Sequence, residues 1–142
     1  MSRSLSFEKT SSNVQSAAEQ LQLSPSVLAQ ALTHKSFKHG NVPNNERLQL
    51  LGRRSMEYFA VDLNNAKNAE ELTKIIKRNF GLRHLGARFD ALGLEQNVQY
   101  NLPSNKTTPL VKSQAVQALV GAVYHEHGLS AAKEFVKKNI FV

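Results

Sequence analysis

Apolar residues recur every three or four positions along most of this chain, and short polar breaks separate the segments that show this period. Such spacing is typical of amphipathic helices, each of which buries one face. The breaks carry serine, asparagine and proline, which favour the first turn of a helix because they cap or fit its unpaired N–H groups. These signals predict helix starts at Ser24, Asn45, Asn68, Pro109 and Ser130.

The segment from Asn44 to Phe59 is the one around which we expect the other helices to be arranged. Leu48, Leu51 and Ser55 follow at helical spacing, so they define an inward face. Gly52 lies inside this pattern, although glycine costs a helix about 1 kcal/mol relative to alanine. A glycine in the middle of a helix usually marks the close approach of another backbone. We therefore expect a second helix to pack directly against Gly52.

The two helices predicted on either side of Gly81 have separate apolar and basic faces. Their inward positions are predicted to be Leu72, Ile75, Ile76, Phe80, Leu82, Leu85, Phe89 and Leu92. Basic side chains lie off these faces, at Lys74, Lys77, Arg78, Arg83 and Arg88. We interpret this basic strip as a contact for the phosphates of a nucleic acid, with an ordinary solvated surface as the alternative.

Composition and charge narrow the class of protein. The 142 residues are 41% hydrophobic, and no apolar run approaches the roughly 18 residues of a membrane-spanning helix. The formal net charge of +7 indicates an acidic partner, most simply nucleic acid. The chain has no cysteine, which excludes disulfides and thiolate metal sites. We expect one compact domain that binds nucleic acid and contacts no membrane.

Three motifs in this chain resemble those of the ribonuclease III endonuclease domain. They are A-L-T-H-K-S-F at residues 31–37, N-E-R-L-Q-L-L-G-R at residues 45–53, and Q-A-V-Q-A-L-V-G-A-V-Y at residues 114–124. Their order and separation are similar to those of the family. The resemblance implies an all-α fold, the ribonuclease III endonuclease-domain fold, which dimerises through the helix of the second motif. It predicts an N-terminal extension with a short helix over residues 1–22 and a ribonuclease III-like domain over 23–142, without a double-stranded-RNA-binding domain.

The resemblance also implies where the family's metal ligands would lie. At the four family positions that bind divalent metals, this chain has Gln49, Arg53, Gln114 and Gln117. Glu46 is the one acidic residue kept at a family acidic position. Magnesium prefers carboxylate oxygens, whereas glutamine offers a neutral carbonyl and arginine has no acceptor. We therefore predict a degenerate active site with no catalytic residue, no metal ligand and no cofactor.

The single acid and the arginine of this site leave two interpretations open. Glu46 is either an ordinary first-turn charge or the partner of a positive group that replaces the metal. In the second case we expect Arg53 to approach Glu46, or a glutamine of the late helix, and to place a fixed charge where an ion would lie. We favour the second interpretation.

Three hypotheses for function follow from these residues. The lost carboxylates and the basic charge favour a non-catalytic RNA-binding structural protein, since inactive members of the family occur in the mitochondrial large ribosomal subunit. The alternative is an inactive regulatory or scaffold subunit that dimerises with an active RNA-processing nuclease. Cleavage by an unrecognised mechanism is the least favoured hypothesis. The expected partners are ribosomal or double-stranded RNA and a second ribonuclease III-like chain.

The resemblance places the dimer contact at Leu50, Leu51 and Arg54. The family often has phenylalanine where this chain has Leu50, so a homodimer and a heterodimer are both open. Residues 1–12 are rich in serine and hold one acid, which fits either the end of a mitochondrial targeting segment or an unstructured terminus. The predicted location is mitochondrial.

Overall fold

The computed structural model describes residues 15–141, which are mostly helical and contain no β-strand. Residues 15–21 form helix α1. The other helices are α2 (Pro25–Ala31), α3 (Glu46–Leu63), α4 (Ala69–Phe80), α5 (Leu82–Leu92), α6 (Pro109–His127) and α7 (Leu129–Asn139). Two short 3₁₀ helices lie at Phe37–Gly40 and Glu95–Asn97. The all-α prediction is confirmed.

Helix caps begin several of these elements as their sequence predicts. The side chains of Ser24 and Asn68 accept hydrogen bonds from backbone N–H groups in the first turns of α2 and α4. Thr108 does the same for α6, directly before Pro109. These caps satisfy donors that have no partner inside the helix, which fixes where each helix begins.

Helix α6 lies at the centre of the fold, with most residues from Val111 to Val123 buried. It packs most closely on α3, where a Cβ atom on Gly52 would lie 1.7 Å from the carbonyl oxygen of Gln117. A Cβ atom on Gly121 would lie 2.1 Å from the carbonyl oxygen of Leu48. Only glycine fits at either position, so the close approach predicted at Gly52 is confirmed.

Several predicted details differ in the structure. Helix α7 begins at Leu129 after Gly128, rather than at Ser130, because the positive φ of 89° at Gly128 turns the chain one residue earlier. Leu82 is 51% exposed, because it is the first residue of α5 and no helix covers it. Helix α2 ends at Ala31, three residues before His34.

Some predictions concern residues outside the described range or remain untested. Both interpretations of residues 1–12, the end of a targeting segment and an unstructured terminus, concern residues outside the described range of 15–141. The domain boundary between residues 22 and 23 and the mitochondrial location stay predictions. Among the described residues, no helix combines the length and the apolar character that crossing a membrane requires.

Candidate functional site

The candidate site lies where the start of α3 meets the segment that follows α2. Asn45 is 2% exposed, and its side-chain amide donates to the carbonyl of Ala31 at 3.0 Å. Its Oδ1 accepts from the side chain of Gln49 at 2.6 Å, and its backbone N–H donates to Thr33. Asn45 therefore ties α3 to α2 and holds Gln49.

The N-cap expected from Asn45 is thus a correction, because this side chain is used for tertiary contacts and makes no cap hydrogen bond. The neighbouring Asn44 supplies the cap, with its Oδ1 accepting from the N–H of Glu46 at 3.1 Å. Glu46 itself is exposed at the first turn of α3. Its carboxylate is therefore open to solvent at the rim of the site.

His34 forms the second wall of the site. Its backbone N–H donates to the carbonyl of Gln99 at 2.8 Å, which joins the motif at residues 31–37 to the irregular segment after α5. Its Nδ1 accepts from the N–H of Ser36 at 3.1 Å, so the neutral ring carries its proton on Nε2. His34 is therefore a buried, hydrogen-bonded packing residue.

The surroundings of His34 show which groups converge on it. Burial of the ring lowers the pKa of His34, and the charge of Lys35 lowers it further. The side chain of Gln114 and the carboxylate of Glu46 act in the opposite direction and raise this pKa. His34 therefore stays neutral near pH 7, and the structure gathers Glu46 and Gln114 around it.

The four positions singled out in the sequence are only partly brought together. Gln49 and Gln114 line the site, and the Oε1 of Gln114 is buried without a hydrogen-bond partner among residues 15–141. Gln117 contributes its backbone carbonyl to the contact with Gly52. Arg53 is exposed and forms no ion pair with any described residue, so the expected pairing of Arg53 with Glu46 is wrong.

The donor chemistry of the candidate site decides which groups it can bind. Its oxygen donors are the Glu46 carboxylate and neutral amides, and within residues 15–141 no three His, Asp or Glu side chains are grouped to hold a metal ion. A pair of divalent ions needs several carboxylates to offset its charge. The residues present in one chain do not fit such a pair. They do fit the hydroxyl and phosphate groups of a nucleic acid, which amides bind through hydrogen bonds.

The residues predicted to bind RNA lie in three different settings. Lys77 and Arg83 are exposed and make no ion pair with a described residue, while Lys74 lies 3.9 Å from Glu70. Arg78 lines a cleft between α4 and α7. Their role in RNA binding stays a prediction.

Two basic side chains of α5 support the end of α7. The guanidinium of Arg88 donates to the carbonyl of Asn139, and His84 donates to that of Ile140 at 2.6 Å. Arg88 is therefore occupied by the last turn of α7, where a cation also suits the helix dipole. No local pattern in the sequence marks this contact, since the partners are more than fifty residues apart.

The outer face of α3 carries a row of exposed apolar residues. Leu50, Tyr58 and Val61 are each about half exposed, at 48%, 53% and 49%. Leu51 is half-buried, and Arg54 lies 3.8 Å from Glu57. Sequence reasoning placed Leu50, Leu51 and Arg54 at a dimer contact but missed Tyr58 and Val61. A helical period starting at Leu50 reaches both of them.

Comparison with known proteins identifies the family. The sequence model described as Ribonuclease-III-like matches residues 24–142. The chain belongs to this ribonuclease-III-like family. A match over so much of the chain also agrees with the three motifs, which all lie inside it.

Named relatives and solved structures agree with this family. Ribonuclease 3 of Thermobifida fusca is 29% identical over 128 residues, which cover 83% of this chain and 53% of the relative. Ribonuclease 3 of a Nitratiruptor species is 32% identical over 123 residues, which cover 79% of this chain and 52% of the relative. The chain therefore spans about half the length of these curated relatives.

The fold is that of a solved nuclease domain. The nuclease domain of ribonuclease III from Campylobacter jejuni superposes with a TM-score of 0.76 at 27% identity, covering 89% of this chain and 92% of that one. A second structure of that domain gives a TM-score of 0.74 at 24% identity. That structure shows flexibility in a region involved in dimer formation. The ribonuclease III endonuclease-domain fold is confirmed.

These comparisons contradict the predicted function. The expectation of a non-catalytic ribosomal protein that is no enzyme is wrong, because the relatives are named Ribonuclease 3 and the matching structure is a nuclease domain. The alternative of an inactive scaffold subunit rested on the same assumption of inactivity and falls with it. The assumption of inactivity rested on four positions, whereas the family match covers residues 24–142.

Proposed function

We propose that this protein is an RNA-processing nuclease of the ribonuclease III type that acts on double-stranded RNA as a dimer. The observation that carries the proposal is the family match over residues 24–142. The names of the relatives support the reaction class. Since the chain spans about half of their length, its activity, substrate and partner all belong to the proposal.

The outer face of α3 supports the dimer. Its inner face is covered by α6, whereas Leu50, Tyr58 and Val61 on the outer face keep about half of their surface exposed. A row of half-exposed apolar side chains on one helix is typical of an association surface. A second copy of α3 would cover this row and bring two candidate sites into one assembly.

The charge supports an RNA substrate. The net charge of +7 favours a polyanion, and the exposed Lys77 and Arg83 have no ion pair among residues 15–141 that would compete for them. A-form helices are recognised mostly through their backbone and shape, which suits such a surface. Binding should therefore weaken as the salt concentration rises.

The candidate site at the start of α3 supplies binding groups for the RNA strand. The amides of Gln49 and Gln114 offer donors and acceptors to phosphate and ribose groups, and Arg53, one turn after Gln49, adds an exposed positive charge. Glu46 is the exposed carboxylate of this site. A phosphodiester bound by these groups would lie close to that carboxylate, which makes Glu46 the residue to test.

A cleavage assay tests the proposal directly. The purified chain is incubated with duplex RNA and either Mg²⁺ or Mn²⁺ at low and raised salt, and one gel scores retention and cutting. We expect salt-sensitive retention and cutting, and we expect Glu46→Gln to abolish the cutting. Glu70→Gln is the matched control, because Glu70 is also an exposed first-turn glutamate, on α4.

The outcomes separate the parts of the proposal. Cutting that survives in Glu46→Gln would show that another group acts. Retention without cutting under both metals would contradict the nuclease proposal and leave duplex binding in place. A monomer at all concentrations in sedimentation would contradict the dimer.

A further inference from the structure

A cleft lies at the opposite end of α3 from the candidate site. It has a volume of about 570 Å³ and is formed by the ends of α3 and α7 with α4 and the start of α5. Gln49 and Leu63 are fourteen residues apart on one helix, which corresponds to about 21 Å at 1.5 Å per residue. Its lining residues are Leu63, Asn64, Ile75, Arg78, Asn79, His84, Lys137 and Phe141.

The cleft has an apolar floor. Leu63, Ile75 and Phe141 line it, and all three are half-buried. The ring of Phe141 stacks on that of Phe80, with centroids 5.7 Å apart and planes at 25°. This stacking fixes an aromatic ring at the edge of the cleft, where a flat aromatic ligand can pack against it.

Two asparagines supply hydrogen-bond acceptors beside this floor. The side-chain amide of Asn64 donates to the carbonyl of Ala60 at 2.8 Å, and that of Asn79 donates to Ile75 at 3.0 Å. One of the two amide donors of each asparagine is therefore used within its own helix. Neither Oδ1 accepts a hydrogen bond from a described residue, so both remain available to the N–H and O–H groups of a ligand.

The rim of the cleft is positively charged. Arg78 and Lys137 are exposed there, and His84 is held in place by its bond to Ile140. Arg78 makes no ion pair with a described residue, and the exposed pair of Lys137 with Glu134, at 3.6 Å, is too weakly held to block a ligand. No acidic side chain of the described chain lines the cleft. The rim therefore favours an anionic group.

We propose that this cleft binds a phosphorylated nucleotide, with its base over the apolar floor beside Phe141 and its phosphate between Arg78 and Lys137. The volume lies within the range of small-molecule sites. An apolar floor alone would take any flat molecule, and cations alone would take any anion. The three features together match a nucleotide. The aromatic ring matches the base, the free acceptors match its amino or ribose groups, and the cationic rim matches its phosphate. The nucleotide is either free or the 5′-phosphorylated end of a single RNA strand.

Calorimetric titration of the full chain with adenosine 5′-monophosphate tests the proposal. We expect saturable binding of this nucleotide, and weaker binding of adenosine and of inorganic phosphate, each of which lacks one half of the match. A 5′-phosphorylated single-stranded RNA that binds more tightly than the nucleotide would assign the cleft to a strand end. Equal or weaker binding of that strand would assign the cleft to the free nucleotide.

Matched variants locate the binding. Lys137→Gln and Arg78→Gln should each weaken binding of the nucleotide by on the order of tenfold, the effect of losing one charged hydrogen-bond donor. Lys106→Gln removes the same charge from an exposed lysine of the loop before α6, outside the cleft, and should leave binding unchanged. Circular dichroism checks that each variant is folded.

Three results would overturn the proposal. They are the absence of saturable binding, equal binding by inorganic phosphate, and an equal loss of affinity in Lys106→Gln and Lys137→Gln. The last would mean that overall charge, rather than the cleft, attracts the nucleotide. The proposal does not rest on RNA cleavage, because this titration contains no duplex and the variants leave Glu46 and Gln49 in place.

Discussion

Helices α6 and α4 are both regular and well capped, yet they are packed in opposite ways. Most residues of α6 from Val111 to Val123 are buried, so neighbours surround it on all sides. No residue of α4 is fully buried, although Leu72 and Phe80 lie on an apolar face that is half covered. The core therefore constrains most side chains of α6 from Val111 to Val123 but only one face of α4, which leaves α4 free to carry basic residues.

The contrast in packing follows from residue size. Gly121 on α6 and Gly52 on α3 let the two helices approach to the distance of backbone contact, which leaves no room for adjustment. On α4, large apolar side chains lie on one face and Lys74, Lys77 and Arg78 lie on the other. Contact between α4 and its neighbours is therefore made through long side chains rather than through the backbone. Substitutions of the same kind should therefore have very different effects in the two regions.

The largest difference in the free energy of unfolding is expected between alanine substitutions at two buried helical glycines, Gly52 and Gly86. In Gly52→Ala the new Cβ atom would lie 1.7 Å from the Gln117 carbonyl oxygen, so α3 and α6 must separate. We expect a loss of at least about 3 kcal/mol in the free energy of unfolding. Gly86→Ala on α5 meets no heavy atom within 4 Å and should gain roughly 0.5–1 kcal/mol from helix propensity.

Urea unfolding of both glycine variants measures the difference. If Gly52→Ala is as stable as Gly86→Ala, the close contact between α3 and α6 is not as tight as described. Equal losses in both variants would instead mean that any added methyl group disturbs these helices.

A smaller difference in stability is expected between alanine substitutions at two leucines. Leu119 on α6 is fully buried, so Leu119→Ala should cost about 3 kcal/mol through lost burial and a residual cavity. Leu72 on α4 is half-buried, so Leu72→Ala should cost about 1 kcal/mol. Chemical denaturation reports both values. A cost at Leu72 equal to that at Leu119 would show that a further partner covers α4.

The smallest difference in stability is expected between glutamine substitutions at two glutamates, and this difference depends on pH. The Glu126 carboxylate of α6 accepts from both the hydroxyl and the N–H of Ser24 at 2.7 Å, and these bonds lower the pKa of Glu126 below its usual 4.5. Glu70 on α4 lies 3.9 Å from Lys74 and is highly exposed. We expect Glu126→Gln to cost about 1 kcal/mol at pH 7, and Glu70→Gln to change stability by less than about 0.5 kcal/mol.

The sign of the pH dependence follows from the lowered pKa of Glu126. Its stabilisation is complete above pH 4.5 and is lost as the pH falls through the lower pKa of the folded state. Thermal unfolding of the wild type and Glu126→Gln should therefore converge on acidification below that range. A gap that persists in acid would mean that the shape of the side chain matters rather than its charge.

Much of the fold was predictable because its signals are local. Serine and asparagine caps mark the starts of α2 and α4, and a glycine in the middle of a helical pattern marks the crossing of α3 and α6. Each signal depends on residues within one or two turns. The three motifs added the family, since their order is a property of the whole chain.

The candidate site was less predictable because it is built from distant contacts. The use of Asn45 to bind Ala31, the bond from His34 to Gln99 and the position of Arg88 under α7 all join segments that no periodic pattern links. A residue type predicts what a side chain can donate or accept. The partner of that side chain depends on the tertiary structure. Arg53 was therefore expected beside Glu46, although the two form no ion pair in the described part of the chain.

The central position of α6 also bears on how the protein is made. A growing chain emerges from its N-terminus, so α2, α3 and α5 are synthesised before α6, the helix on which all three pack. Until residues 109–127 follow, the faces that α6 will cover stay exposed, and exposed apolar surface of this kind is prone to aggregate. Folding of the domain during translation should therefore begin late, once α6 has been released.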